Sequence, residues 1–142
     1  MPTVEELPMT GAQEKLLVIF DGSCDFCTAT VQTIQRCDWR DTFRFAPFQQ
    51  PGLPEQHGLT IAQCEQAVWI IMPDGHKFAG AHAASSILDA ILILPLFNTL
   101  YQLPPFAHIA NTLYAWVARN RSHFPGVTPY CQRPGAQCGA TQ

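Results

Sequence analysis

The chain reads as an α/β domain in which a four-stranded mixed sheet is flanked by helices, with extra helices at the C-terminal end. Three observations predict this. Leu16-Leu17-Val18-Ile19-Phe20 and Ala67-Val68-Trp69-Ile70-Ile71 are continuous apolar runs of strand length, the composition of strands buried on both faces. Phe43-Arg44-Phe45-Ala46 alternates between them, and Pro73-Asp74-Gly75 is a turn signal from which Lys77-Phe78-Ala79 returns as a hairpin. Between and after these runs, apolar residues recur at helical spacing. With 142 residues, 47% of them hydrophobic, the chain is long enough to bury a core as a single domain over 1–142.

The elements follow in order. Residues 1–15 form a loose lead-in. The first strand, 16–20, is broken by Asp21-Gly22-Ser23, and a helix is expected from Cys24 to Cys37. Within it Cys27, Val31 and Ile34 share one face at i, i+4 and i+7, while Cys24 lies at the tip, ahead of that stripe. The second strand is 43–46. Residues 47–58 carry three prolines and two glycines and read as a loop. A short helix follows over 60–65, then the strand at 67–71 and the hairpin. A helix over 83–94 stops near Pro95. A last helix over 106–121 places Phe106, Ile109, Ala110, Leu113, Tyr114 and Val117 on an apolar face, so Trp69, Tyr114 and Trp116 are assigned to the core. Residues 122–142, with two cysteines, form an irregular tail.

Cys24-Asp25-Phe26-Cys27 carries the chemistry. A C-x-x-C that leaves a strand and opens a helix puts its first sulfur at the positive end of the helix dipole, where a thiolate is stabilised. The second sulfur follows within the first turn. Beside a β-α-β unit with its expected right-handed crossover, this pattern reads as a thioredoxin-like layout. A net charge of −3 gives no case for a nucleic-acid partner. The first ten residues lack the basic stretch of a signal peptide, and no apolar run approaches the roughly 20 residues of a spanning helix. A cytoplasmic, reducing setting is therefore expected, in which six cysteines point to catalysis or metal binding rather than to a disulfide framework.

Phe20-Asp21-Gly22-Ser23-Cys24-Asp25-Phe26-Cys27 resembles the signature of the DCC-type family of thiol–disulfide oxidoreductases, named for its Asp-x-x-Cys-x-x-Cys pattern. Two further stretches resemble it: Pro73-Asp74-Gly75 followed by Phe78-Ala79-Gly80-Ala81-His82-Ala83, and Tyr114-Ala115-Trp116-Val117-Ala118-Arg119-Asn120-Arg121. The likeness runs from about Leu16 to Arg121. It implies a thioredoxin-like fold and a redox-active pair at Cys24 and Cys27, with no substrate specified. The chain departs from thioredoxins in having no proline at Glu65-Gln66, ahead of the strand at 67–71.

Cys24 is the expected nucleophile and Cys27 the resolving thiol. No basic residue lies near Cys24 in sequence, whereas Asp21 and Asp25 do, so a modest lowering of the Cys24 pKa is expected, suited to a reductant or general exchange catalyst. Asp21 has two readings: a proton relay to Cys27, or a residue that fixes the Asp-Gly turn. Asp25 is a first-turn residue satisfying backbone N–H groups. Gly80, Ala81 and His82 open the helix after the hairpin, where small residues would let a substrate backbone approach and His82 would donate a proton; tight packing is the alternative. Arg119 and Arg121 are read as helix C-terminal charges. Cys37 and Cys64 are read as small buried residues. Cys131 and Cys138 stay open between pairing with each other, passing electrons to Cys24 and Cys27, binding metal and being inert.

The leading expectation is thus an enzyme that exchanges disulfides with a protein or small-molecule disulfide substrate, requires no cofactor and no metal, and is recharged by an upstream thiol reductant. Two other classes stand beside it. One is a zinc module built from Cys24, Cys27, Cys131 and Cys138, although C-x6-C is loose for zinc. The other is an interaction protein that docks through its apolar 87–106 region on a partner or a membrane surface. Charged residues make up only 13% of the chain against about 25% in typical domains, which leaves room for such contact.

Overall fold

In the computed structural model the described residues are 15–124, 126–136 and 138. Among them are four strands, β1 (Leu16–Phe20), β2 (Phe43–Pro47), β3 (Trp69–Ile71) and β4 (Lys77–Ala79). Six α-helices accompany them: α1 (Asp25–Cys37), α2 (Leu53–Gln56), α3 (Ile61–Gln66), α4 (Gly80–Leu92), α5 (Leu96–Tyr101) and α6 (Pro104–Arg119). The sheet order is β2-β1-β3-β4. β1 pairs parallel with β2 and antiparallel with β3, and β3 pairs antiparallel with β4. This is the mixed α/β sheet expected of a thioredoxin-like fold. Most of the expected lead-in over 1–15, and the end of the tail, lie outside the described residues.

The parity of β1 explains its unbroken apolar run. Leu17 and Ile19 pack on one side of the sheet with Phe48, Leu53, Leu59, Cys64 and Ile71. Val18 packs on the other with Phe43, Ile70, Ala83 and Ile87. A strand with helices over both faces has no side to give to water. β1 therefore ends at a fixed depth, and the loop that follows it emerges at a fixed place.

Several elements differ from the sequence reading. The 47–58 segment contains α2, whose first turn accepts Pro54 because an N-terminal helical residue needs no amide donor. β3 is two residues shorter than the apolar run: the Val68 amide donates to the Tyr114 hydroxyl at 2.9 Å, and its carbonyl accepts from Gly80 N at 3.0 Å. α4 starts three residues early, at Gly80, whose positive φ of 61° suits glycine and whose open Cβ position faces the Tyr114 ring at 3.6 Å. α5 occupies part of the apolar 87–106 region. Cys37 is exposed rather than buried, because it ends α1 on the solvent side; Cys64 is buried.

α6 corrects the core assignment. Tyr114 turns inward with Ala110 and Val117 beside it, all half-buried. The larger stripe faces out: Phe106 is 48% exposed, Ile109 61%, Leu113 60% and Trp116 49%. The inward turn of Tyr114 onto Gly80 and Val68 sets this rotation.

Ile70, on central β3, has no exposed surface. Ile70→Ala is expected to lower the unfolding free energy by about 2–5 kcal/mol, read as a lower urea midpoint at unchanged slope.

Candidate active site

The site begins where β1 runs out. The Asp21 carboxylate accepts from Ser23 N at 2.9 Å, an Asx turn that reverses the chain. Gln49, just past β2, pins the same loop with both ends of its amide: Oε1 accepts from Gly22 N at 3.0 Å, and Nε2 donates to Asp21 Oδ1 at 2.8 Å. The loop thus delivers Cys24 to the N-cap of α1 in extended backbone conformation. There its sulfur accepts from Cys27 N at 3.1 Å, the bond that a serine or threonine oxygen makes at other helix starts. Asp25 accepts from Phe26 N at 2.7 Å, so it serves the first turn as expected.

Cys24 and Cys27 are both free and half-buried. Their environments pull in opposite directions. The Cys27 thiol hydrogen-bonded to the Cys24 sulfur is the largest influence on Cys24; burial opposes it, and the Cys27 amide and the Arg121 charge add to it, with Asp21 in opposition. The net result brings Cys24 down to about 7. That same bond pushes Cys27 well above the ordinary thiol range, and burial and the Cys24 charge push it further. At neutral pH Cys24 is substantially thiolate and Cys27 is the proton-bearing partner.

Arg121 is the residue the sequence reading placed wrongly. It lies beyond the end of α6, after Asn120, where a short 3-10 turn swings it back over α1. Its Nη1 donates to Cys27 Sγ at 3.5 Å, and its Nη2 stands 3.6 Å from Asp21 Oδ2. The site therefore has a cation, supplied from 94 residues along the chain. Asp21 is engaged by Ser23, Gln49 and Arg121, which favours its turn-fixing reading and makes it a positioning residue for the guanidinium.

Behind Cys27 opens an apolar cavity of about 400 Å³. It runs along α1 past Phe26, Val31 and Ile34, with Ile87 and Val117 opposite and Arg121 at the cysteine end. A polar cleft on the other side is lined by Ser23, Gln49 and Glu65. Asp21 and Arg121 line both and stand between them.

Gly80, Ala81 and His82 are not brought to the cysteines. None of them lines the cavity at Cys27. Ala81 is buried, and His82 sits between the rings of Phe78 and Tyr101, at centroid distances of 4.2 and 4.7 Å. Packing is what occupies these residues here. Cys131 and Cys138 are joined in a disulfide, so the four-cysteine zinc set is not available as thiolates.

The DCC1-like thiol–disulfide oxidoreductase family matches residues 18–127, which contain the loop, Cys24, Cys27 and Arg121. The chain belongs to this family. No curated protein matches it, and no solved structure does. The matched span includes Cys24 and Cys27 at the start of α1. Gln49 and Arg121 were not singled out from sequence as site residues, although Arg121 lay inside the Tyr114 to Arg121 stretch that carried the resemblance.

The pH dependence follows from the sign of the Cys24 shift. The thiolate is the reactive form, so alkylation of Cys24 should rise with pH and level off above a midpoint near 7, below that of an unperturbed thiol. Arg121→Gln removes one of the influences that favour the thiolate. The midpoint should then rise, slowing alkylation at pH 7 by roughly a factor of two or three. Iodoacetamide kinetics resolved by peptide mass spectrometry check both.

Proposed function

We propose that this protein is a thiol–disulfide exchange enzyme in which Cys24 attacks and Cys27 resolves. The observation that carries the reading is the division of labour between the sulfurs. One is a half-exposed helix cap brought to about 7, and the other is its hydrogen-bonded, protonated neighbour.

The Cys24 thiolate attacks one sulfur of a substrate disulfide, forming a mixed disulfide and releasing the other sulfur as a thiolate that takes a proton from solvent. Once Cys24 has lost its charge to that bond, the influence that held the Cys27 proton is gone. The guanidinium of Arg121, 3.5 Å from Cys27 Sγ, then favours the Cys27 thiolate. Cys27 gives its proton to solvent and attacks Cys24; the Cys24–Cys27 bond forms, the bond from Cys24 to the substrate breaks, and the substrate sulfur leaves as a thiolate that is protonated by solvent. A dithiol reductant restores the pair. A protein or small-molecule disulfide is the substrate class, and a reducing compartment such as the cytoplasm is the setting in which this direction runs.

A Cys27→Ser variant should halt at the mixed disulfide. Incubated with hydroxyethyl disulfide, it should gain a single adduct on Cys24 that dithiothreitol removes, while Cys24→Ser gains none there. Absence of the adduct from a folded Cys27→Ser variant would remove the reading.

A further inference from the structure

The tail is built against the active-site loop. Cys131 N donates to Gly22 O at 2.9 Å. Cys131 Sγ is pressed so close to Gly22 that a Cβ there would meet it at 2.6 Å, with Pro47 Cβ at 2.7 Å, so only glycine fits. Tyr130 N donates to Thr28 Oγ1 at 3.1 Å, and that hydroxyl donates to Cys24 O at 2.9 Å. Val127 N donates to Asp25 O at 3.3 Å. The tail therefore grips the loop both before and after Cys24.

Its disulfide joins residues only seven apart, both within the tail. A staple would bond the tail to the domain; this bond ties the tail to itself. What fastens the tail is the set of hydrogen bonds above, which do not need the disulfide. Its placement is then a fact about chemistry rather than anchoring. Gly22 and Cys24 are two residues apart, at most about 7 Å of backbone. The tail disulfide thus packs on the loop that carries Cys24, and both its cysteines are half-buried rather than sealed.

We propose that Cys131–Cys138 is a second redox centre that exchanges two electrons with Cys24–Cys27. This deepens the exchange reading above and rests on it. The exchange requires Cys131 to leave its contact with Gly22 and pass Ser23 to reach Cys24. Cys24 thiolate attacks Cys131 Sγ; the Cys24–Cys131 bond forms, the Cys131–Cys138 bond breaks, and Cys138 leaves as a thiolate that takes a proton from solvent. Cys27, giving its proton to solvent, attacks Cys24; the Cys24–Cys27 bond forms and Cys131 leaves as a thiolate, then is protonated. The active-site pair is oxidised and the tail disulfide is reduced: two electrons pass between the pairs, the tail thiols take up two protons from solvent, and the active-site pair releases the one that Cys27 carried. The reverse run carries electrons inward from the tail.

Two measurements test this. In the first, fully reduced wild-type protein receives one equivalent of a two-electron oxidant, is quenched with acid at intervals, and its disulfides are mapped by differential alkylation. Oxidation should register first at Cys24–Cys27 and then redistribute to Cys131–Cys138. The redistribution rate should be unchanged over about a hundredfold dilution, as an intramolecular step requires. In the second, a Cys27→Ser/Cys138→Ser variant treated in the same way should yield a Cys24–Cys131 cross-link within the monomer. A distribution frozen where it first forms, or one whose rate falls with dilution, overturns the relay. So does a folded variant whose Cys24 and Cys131 both still alkylate yet which never cross-links. The Cys24 adduct, made in a Cys27→Ser/Cys131→Ser/Cys138→Ser variant that the tail cannot resolve, separates the two readings: its presence without internal transfer defeats only the relay, and its absence from the folded variant defeats the exchange reading itself.

Discussion

One hydrogen bond, from Cys27 N to Cys24 Sγ, organises the site. It makes Cys24 the N-cap of α1. An N-cap acceptor is needed because the first amides of a helix have no internal partners, and a negative acceptor suits the positive end of the dipole. The cap and the thiolate therefore strengthen each other: losing the proton makes Cys24 a better acceptor, and the helix start favours that loss. The charged form of the sulfur is also the form that completes the helix.

The rest of the site holds that bond in place and divides the two thiols. Gln49 and Asp21 fix the loop, so that Cys24 enters the helix from extended backbone. A single proton between the sulfurs then does opposite things to them, easing ionisation of Cys24 and blocking that of Cys27. Arg121 faces the inner sulfur directly, where its charge favours the Cys27 thiolate. Asp21 charges against both thiols but holds Arg121, whose guanidinium favours both thiolates. A carboxylate that looks unfavourable beside a thiolate is there with its counter-ion.

Local pattern was enough to read β1 and the start of α1, because a strand buried on both faces and a helix cap each leave a contiguous signature. The C-x-x-C pair and the direction of the Cys24 shift were legible for the same reason. Arg121 was not, since a charge in the last turn of a helix is adequately explained by the dipole, and only tertiary folding shows that it lies past that turn and points home. Gln49 was hidden in a segment that read only as loop. α6 misled because its apolar residues cover most of its circumference; which arc faced inward was decided by Tyr114, through a hydrogen bond to a backbone amide 46 residues earlier. The tail pairing was one of four open possibilities, as spacing alone does not choose among them.

The reach of Arg121 back to Cys27 has a consequence for biosynthesis. The cysteines lie in the first quarter of the chain, and the guanidinium that faces them is translated 94 residues after Cys27. A nascent chain that has exposed its C-x-x-C but not yet α6 has no such cation and no tail gripping the loop. Its thiols are correspondingly less acidic. Any stretch of this chain that stops short of Arg121 therefore lacks the cation that faces Cys27.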